Sequence, residues 1–390
     1  MGQIVEVTWD SLAKRGEELC GDWVRVNMTR DALTVVLSDG LGSGVKANIL
    51  ATLTAEIASS MLERGSSIDE VIETLAVTLP ECQKRHLAYA TFAVLQVVHG
   101  RDAYLVEYDS PPLILIHDGE VAELPFTERE VAGRTIREAH FALENGDYMV
   151  MVSDGYIHAG VGGLYRMGWG WQNIATSVRR WAARRGDAHQ LTHTLSRTCL
   201  KLYDGTPGDD ATAIGMWVRE MRRATILTGP PSDTRLDDEA VHKLMAAQGT
   251  RAICGGTTAQ VVARVLGAEL KVQWQPPSKR SGHSHRSKIP PVAQLEGVDL
   301  VTEGILTLSA AVERLQQADT VHDLPSEQDA GTQLARVLLK SDQIHFIVGD
   351  AINPQQIADV VRGKPMRQIY LEELIGELEK RNKQVTVEHL

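Results

Sequence analysis

The chain has 390 residues, of which 43% are hydrophobic and 23% charged, an ordinary globular composition on a length that calls for two domains. A net charge of −11 argues against a general binder of nucleic acid or anionic membrane, whose phosphates demand a basic surface. Cys20, Cys82, Cys199 and Cys254 are scattered with no C-x-x-C, which argues against a disulfide framework or thiolate metal site and fits a reducing compartment. The first ten residues carry Glu6 and Asp10 and no apolar signal core, and no apolar run approaches the ~20 residues that span a bilayer. A cytoplasmic protein is the expectation.

In chain order, Trp23-Val24-Arg25-Val26 alternates and pairs as a hairpin with the run Leu33-Thr34-Val35-Val36-Leu37. That run leads straight into Ser38-Asp39-Gly40-Leu41-Gly42-Ser43-Gly44, which sets a carboxylate at a strand end beside three glycines, where backbone approaches closely. From Val45 the positions Ile49, Leu50, Leu53, Ile57, Met61 and Leu62 recur at helical steps, predicting an amphipathic helix stopped by Gly65. Ser67 with Glu70 forms a capping box for a second helix, which Pro80 ends. Strands return at Thr91 to Val98, Ala103 to Tyr108 and Leu113 to His117, and Asp118-Gly119 reads as a tight hairpin turn. Another strand, Asp147 to Val152, ends in Ser153-Asp154-Gly155. Helices over Trp169 to Arg184 and Leu191 to Tyr203 follow, then a strand from Ala211 to Val218 beside Asp209-Asp210. Meandering strands with helices in pairs predict antiparallel sheets faced by helices.

Past a boundary near Glu220 to Ala224, strand and helix alternate, giving a division into 1–221 and a smaller α/β domain, 222–390. Gly255-Gly256-Thr257-Thr258 opens a helix there. Without the Walker spacing and its Lys it reads first as a plain turn with Thr257 as N-cap, with N–H groups presented to a phosphate as the alternative. The stretch at about 275–292 carries Lys279, Arg280, His283, His285, Arg286 and Lys288, and reads as a mobile, solvated basic loop.

If the strands at Asp39, Asp154 and Asp209 share one pair of sheets, their carboxylates meet at one rim. Hard oxygen ligands without His or Cys select Mg²⁺ or Mn²⁺. Two such ions about 3.5–4 Å apart turn a shared water into hydroxide near neutral pH, chemistry suited to a phosphate monoester.

The Asp-Gly turn at Asp39, the Gly146-Asp147 to Ser153-Asp154-Gly155 segment and Gly208-Asp209-Asp210-Ala211-Thr212 resemble the metal-dependent serine/threonine phosphatases (PPM, type 2C class). Lys14-Arg15-Gly16 with Cys20-Gly21-Asp22 resembles the opening motif of their bacterial branch, the stage II sporulation and stressosome phosphatases. The resemblance runs over about Gln3 to Arg219. It implies an α+β fold, an αββα sandwich with two Mn²⁺ or Mg²⁺ at one edge. By position Asp39 resembles the carboxylate that bridges both ions, and Gly40 lends its carbonyl. Asp154 and Asp209 complete the first ion's shell, and Asp22 serves the second. Asp39, Asp154 and Asp209 thus act through an attacking metal-bridging hydroxide. Asp210, Ser38 and Ser153 fall to supporting roles, and Arg15 is a candidate phosphate clamp. Leu41 stands where eukaryotic members carry an acid His, and Val131-Ala132-Gly133-Arg134 where many relatives carry a Pro-Leu-Gly turn. The helix bearing Val45, Ile49, Leu53 and Ile57 resembles the branch's regulatory switch, with a plain packing layer as the alternative. By resemblance the substrate is a phosphorylated bacterial regulatory protein, such as a STAS-domain protein of a stressosome or partner-switching module, with neither nucleic acid nor membrane as partner. The alternative is a catalytically weak phosphatase-fold scaffold.

Overall fold

The computed structural model describes residues 2–29, 31–78, 90–163, 165–272, 292–351, 360–361 and 364–390. The chain divides into two compact units, Met1–Glu220 and Met221–Leu390. The basic stretch from Lys279 to Lys288 and the helix stop at Pro80 lie outside the described residues.

In the first unit the described elements are β1 (Gln3–Leu12), β2 (Asp22–Met28), β3 (Ala32–Gly40), α1 (Gly44–Glu63), α2 (Ile68–Thr78), β4 (Ala90–Val98), β5 (Asp102–Tyr108), β6 (Ile114–His117), β7 (Glu120–Ala122), β8 (Thr127–Val131), β9 (Arg134–Ala142), β10 (Tyr148–Val152), α3 (Asp154–His158), α4 (Trp171–Ala182), α5 (Ala188–Leu202) and β11 (Ala211–Glu220). They form two antiparallel sheets, ordered β2-β3-β4-β5-β9-β8 and β1-β11-β10-β6-β7. Residue alternation along each strand builds three buried layers. Val35 and Leu37 face inward with Leu95 and Leu105 and meet Met149, Met151, Ile214 and Met216 of the other sheet. Val36, Val94 and Ile136 point the opposite way, onto Ala55 and Ala58 of α1 and Val71 and Ile72 of α2. Ile114, Val150 and Val152 likewise pack on Ile174 and Val178 of α4 and Leu191 and Leu195 of α5. Each fully buried Leu or Ile contributes roughly 1.5–3 kcal/mol. The result is the expected αββα sandwich.

Two details differ from the sequence expectation. β1 is a full strand paired along its length with β11. On α1, the face read from periodicity is packed only in part: Leu50 is buried and Ile57, Met61 and Leu62 pack on the core, but the N-terminal apolar residues do not. Val45, Ile49 and Leu53 are 60%, 52% and 48% exposed, whereas Ala47, Leu50, Ala51, Thr54, Ala55 and Ala58 are buried. The helix lies so close to β3 that small side chains must face the sheet. Ile57 is half-buried against the α1–α2 layer.

The second unit contains β12 (Arg223–Thr228), α6 (Asp237–Ala246), β13 (Thr250–Cys254), α7 (Gly256–Leu266), β14 (Lys271–Val272), β15 (Ala293–Leu295), β16 (Val298–Thr302), α8 (Ile305–Gln317), α9 (Ala330–Lys340), β17 (Gln343–Val348), β18 (Val360–Val361), β19 (Lys364–Pro365), α10 (Met366–Glu379) and β20 (Gln384–His389). Its sheet runs β14-β15-β16-β13-β12-β17-β20, with the last five strands parallel. Phe346, Ile226 and Ala252 pack with Leu308, Leu334 and Leu374 on one face, and Leu227, Ile253 and Ile347 with Val241, Leu244 and Val262 on the other. Burial on both faces is what a parallel sheet requires. Among the described residues no helix of either unit is long and apolar enough to cross a membrane.

Candidate metal centre

Each sheet of the first unit delivers carboxylates to the same end. On the six-stranded sheet, β2 and β3 pair with Asp22 opposite Asp39, and the Gly40 N–H donates to the Gly21 carbonyl at 3.1 Å. On the five-stranded sheet, Asp154 opens α3 directly after β10, and Asp209 and Asp210 directly precede β11. Ser153 fastens the two together. Its hydroxyl donates to Asp22 Oδ2 at 2.7 Å and accepts from the Thr212 N–H at 2.9 Å.

Glycines permit this crowding. A Cβ on Gly155 would strike the Asp210 carbonyl, and one on Gly21 would lie 2.7 Å from Asp210 Oδ2. A Cβ on Gly40 would lie 2.7 Å from the Ala47 carbonyl carbon and 2.9 Å from its Cα, so α1 rests directly on the Asp39-Gly40 turn. Asn48 of α1 also donates to the Cys20 carbonyl at 2.8 Å, and Ser43 at the helix start donates to Glu17 Oε1 at 2.9 Å.

The carboxylates raise one another's affinity for protons. Burial, then the charges of Asp22 and Asp154, push Asp39 up to about 9, and its side chain lies within hydrogen-bonding reach of Asp154. Burial pushes Asp22 up to about 7 against the hydrogen bonds from Ser153 and Thr212, with Asp210 adding repulsion. Asp154 is also raised, by lost hydration and then by Asp209. Asp209 is paired with Lys14 Nζ at 3.2 Å and its side chain is 41% exposed, while Asp210 is buried and accepts the Lys14 N–H at 3.0 Å. Asp22 Oδ1 and Asp210 Oδ2 are buried with no hydrogen-bond partner among the described residues. Uncompensated buried carboxylate oxygens are costly, and a divalent cation would satisfy them. An all-oxygen donor set with surplus negative charge fits Mg²⁺ or Mn²⁺.

The other sequence candidates fall as follows. Ser38 is buried and donates to the Thr91 carbonyl at 3.1 Å, on the opposite side of β3 from Asp39. Arg15 is exposed, and its N–H donates to the Pro207 carbonyl at 2.9 Å. Asp147 accepts from the Glu144 N–H at 2.8 Å and lies 3.0 Å from His117 Nδ1, so it holds the turn before β10. Val131 to Arg134 make the tight turn of the β8–β9 hairpin, with positive φ at Ala132 and Gly133. Sequence reasoning missed Asn48 and Tyr203, whose hydroxyl donates to the Gly155 carbonyl at 2.6 Å; neither bears a motif signal.

The family model of stage II sporulation protein E (SpoIIE) matches residues 29–219. No curated protein matches the chain. Among solved structures, the chain is similar to the phosphatase domain with a regulatory-domain fragment of SpoIIE from Bacillus subtilis, at 18% identity and a TM-score of 0.46, over 56% of this chain and 64% of that one. It therefore spans just under two thirds of that structure's length. It is similar to the RsbU and RsbW domains of a Mycobacterium tuberculosis protein at 17% identity and a TM-score of 0.45, over 68% of this chain and 70% of that one. It is also similar to the catalytic domain of the serine/threonine phosphatase PstP in complex with two manganese ions, at 13% identity and a TM-score of 0.38, over 56% and 100%.

Proposed function

We propose, from the match of residues 29–219 to the SpoIIE family model, that the chain is a phosphoprotein phosphatase that hydrolyses phosphoserine and phosphothreonine on a regulatory protein. Two divalent ions, Mn²⁺ or Mg²⁺, are held by Asp22, Asp39, Asp154, Asp209 and the Gly40 carbonyl. The observation that supports this most is the pair of buried, unpartnered oxygens on Asp22 and Asp210 within a five-carboxylate cluster. When bound, the ions supply an activated water and positive charge toward the phosphate.

The chain's residues do the positioning. Asp39 lies among Asp22, Asp154 and Asp209, and would hold the ions together with them. Ser153 orients Asp22 by its hydroxyl donation, and Tyr203 fixes the Asp154-Gly155 turn. Lys14 steadies both Asp209 and Asp210. Leu41 has no titratable proton, so the leaving serine oxygen takes its proton from another source. The substrate class we favour is a phosphorylated STAS-domain protein of a partner-switching module. Because α1 rests on Gly40, a partner that shifts α1 alters the metal cradle, and the exposed Val45, Ile49 and Leu53 are the handle for such a shift.

The test is turnover of p-nitrophenyl phosphate and a phosphoserine protein with Mn²⁺, beside Asp39→Asn. Activity lost in the variant supports the reading. Equal activity in the two proteins, or none in the wild type at millimolar Mn²⁺, overturns it.

A further inference from the structure

The second unit holds a site that the phosphatase chemistry does not use. Its parallel strands lie in the order β16-β13-β12-β17-β20, so the chain moves outward in one direction from β12 and then returns to continue on the other side. In such sheets ligands bind beyond the carboxyl ends of the strands, next to this reversal. Here four neighbouring strands run into glycine at that edge: Gly304 after β16, Gly255 after β13, Gly229 after β12 and Gly349 after β17. The glycines form a continuous row. A Cβ on Gly304 would lie 3.6 Å from the Gly255 Cα, one on Gly255 would lie 3.9 Å from the Gly229 nitrogen, and one on Gly229 would lie 2.5 Å from the Gly349 carbonyl oxygen.

Two helices begin on this row, α7 after Gly255 and α8 after Gly304, and neither has a side-chain cap. The expectation that Thr257 caps α7 is therefore corrected: Gly255, at φ 144°, is the N-cap and Thr257 lies inside the helix. Around Gly256 a Cβ would meet nothing within 4 Å, so the helix start is open. Helix N-termini alone attract anions only weakly, but two side chains add to them. Thr258 is 1% exposed, and its hydroxyl has no partner among the described residues. It points at Gly255, 2.7 Å from where a Cβ there would stand. Arg367 lies over Gly229 with its Nη2 donating to the Gly349 carbonyl at 2.6 Å, and it forms no ion pair among the described residues. A guanidinium has five N–H donors, so one carbonyl leaves most of this group's capacity for an anion. Burial lowers its pKa from the usual arginine value, against the nearby charge of Asp350. Glu303, one residue before Gly304, leaves Oε2 buried without a donor among the described residues.

We propose that this edge binds a small phosphate ester with a free hydroxyl, of the ribose-phosphate kind. The phosphate meets the α7 and α8 N-termini, Thr258 and Arg367, and the hydroxyl donates to Glu303. The adenine-free sugar phosphate and the nucleotide share this chemistry.

The experiment is calorimetric titration of the full chain in EDTA, which keeps the metal-dependent centre out of the signal, with ribose 5-phosphate, AMP, inorganic phosphate and ribose. Ribose 5-phosphate or AMP binds, with inorganic phosphate weaker and ribose silent; whichever of the two esters binds tighter identifies the source. Arg367→Gln weakens binding at least tenfold. Glu303→Gln weakens the esters but not inorganic phosphate. Thr258→Val removes a hydroxyl that has no partner in the free protein, so it leaves the melting temperature unchanged or raised and still weakens binding severalfold; it carries the test if Arg367→Gln fails to fold. No binding of either ester below millimolar concentration, unchanged affinity in Thr258→Val and Arg367→Gln, or binding of a phosphoserine peptide alone overturns the proposal.

Discussion

Replacing Gly40 with alanine tests whether α1 and the metal cradle form one unit. The added Cβ would stand 2.7 Å from the Ala47 carbonyl carbon, and that atom belongs to helix backbone, which has no rotamer to yield. To restore an ordinary 3.4 Å contact, α1 or the Asp39-Gly40 turn retreats by at least about 0.7 Å. Overpacking of this kind costs ~1–3 kcal/mol. In a domain of this size that is a fall in melting temperature of roughly 2–10 °C. A displacement near 1 Å at a reacting centre costs on the order of 100-fold in rate. On the proposed function the Gly40 carbonyl is also an ion ligand, so the loss is expected in kcat/KM with Mn²⁺ and in a raised Mn²⁺ requirement. The assay is a Mn²⁺ titration of p-nitrophenyl phosphate turnover beside a thermal melt. A Gly40→Ala protein with wild-type melting temperature, turnover and Mn²⁺ dependence would refute the claim that α1 bears on this turn.

Three further outcomes follow from the same geometry. In EDTA, burial and then the charges of Asp22 and Asp154 make Asp39 take up a proton on folding at neutral pH, a cost that an amide does not bear, so Asp39→Asn, although inactive, melts about 2–4 °C above wild type, while added Mn²⁺ stabilises wild type far more; a variant that melts lower in EDTA contradicts this. Glu107 is buried and its pKa is pushed up to about 7 by burial, against the Leu113 N–H and Arg137. Its folded form keeps a proton that the unfolded chain releases near 4.5, so this group's contribution is complete below that pH and is lost as pH rises through 7. The loss is about 3 kcal/mol, and melts of Glu107→Gln between pH 5 and 8 show a flatter pH profile than wild type. Tyr203→Phe loses the hydrogen bond to the Gly155 carbonyl, costs ~1 kcal/mol, and lowers kcat/KM severalfold by loosening Asp154; unchanged stability and kinetics would mean the hydroxyl does not hold the turn.

The acidic turns were legible in the sequence because their chemistry demands specific residues: a carboxylate at a strand end, with glycine where the next turn must come close. The packing of α1 was not. Periodicity ranks Ile49 and Leu53 above Ala47 and Ala51, yet closeness to Gly40 selects the small side chains for the buried face. β1 alternates Val5, Val7 and Trp9 with Glu6, Thr8 and Asp10, but its partner is β11, some 200 residues away, so local pattern gave no hint of its place. The second unit's alternation was readable as α/β. Its strand order was not, since order depends on which side each crossover takes. The glycines that end four of its strands look like ordinary turn residues until that order brings them into one row.

Asp22 and Asp39 belong to one sheet, and Asp154, Asp209 and Asp210 lie just beyond strand ends of the other. The proposed centre therefore straddles the seam of the sandwich, and on that proposal ion affinity is a gauge of the spacing between its two layers. Thinning the filling by a methyl or two at Val35, Met149 or Ile214, none of them a ligand, lets one sheet settle toward the other. Carboxylates that must converge from both sides then no longer meet at the same point. Hydrophobic filling thus sets how well an all-oxygen site closes, and metal titration becomes a means of measuring packing inside the molecule.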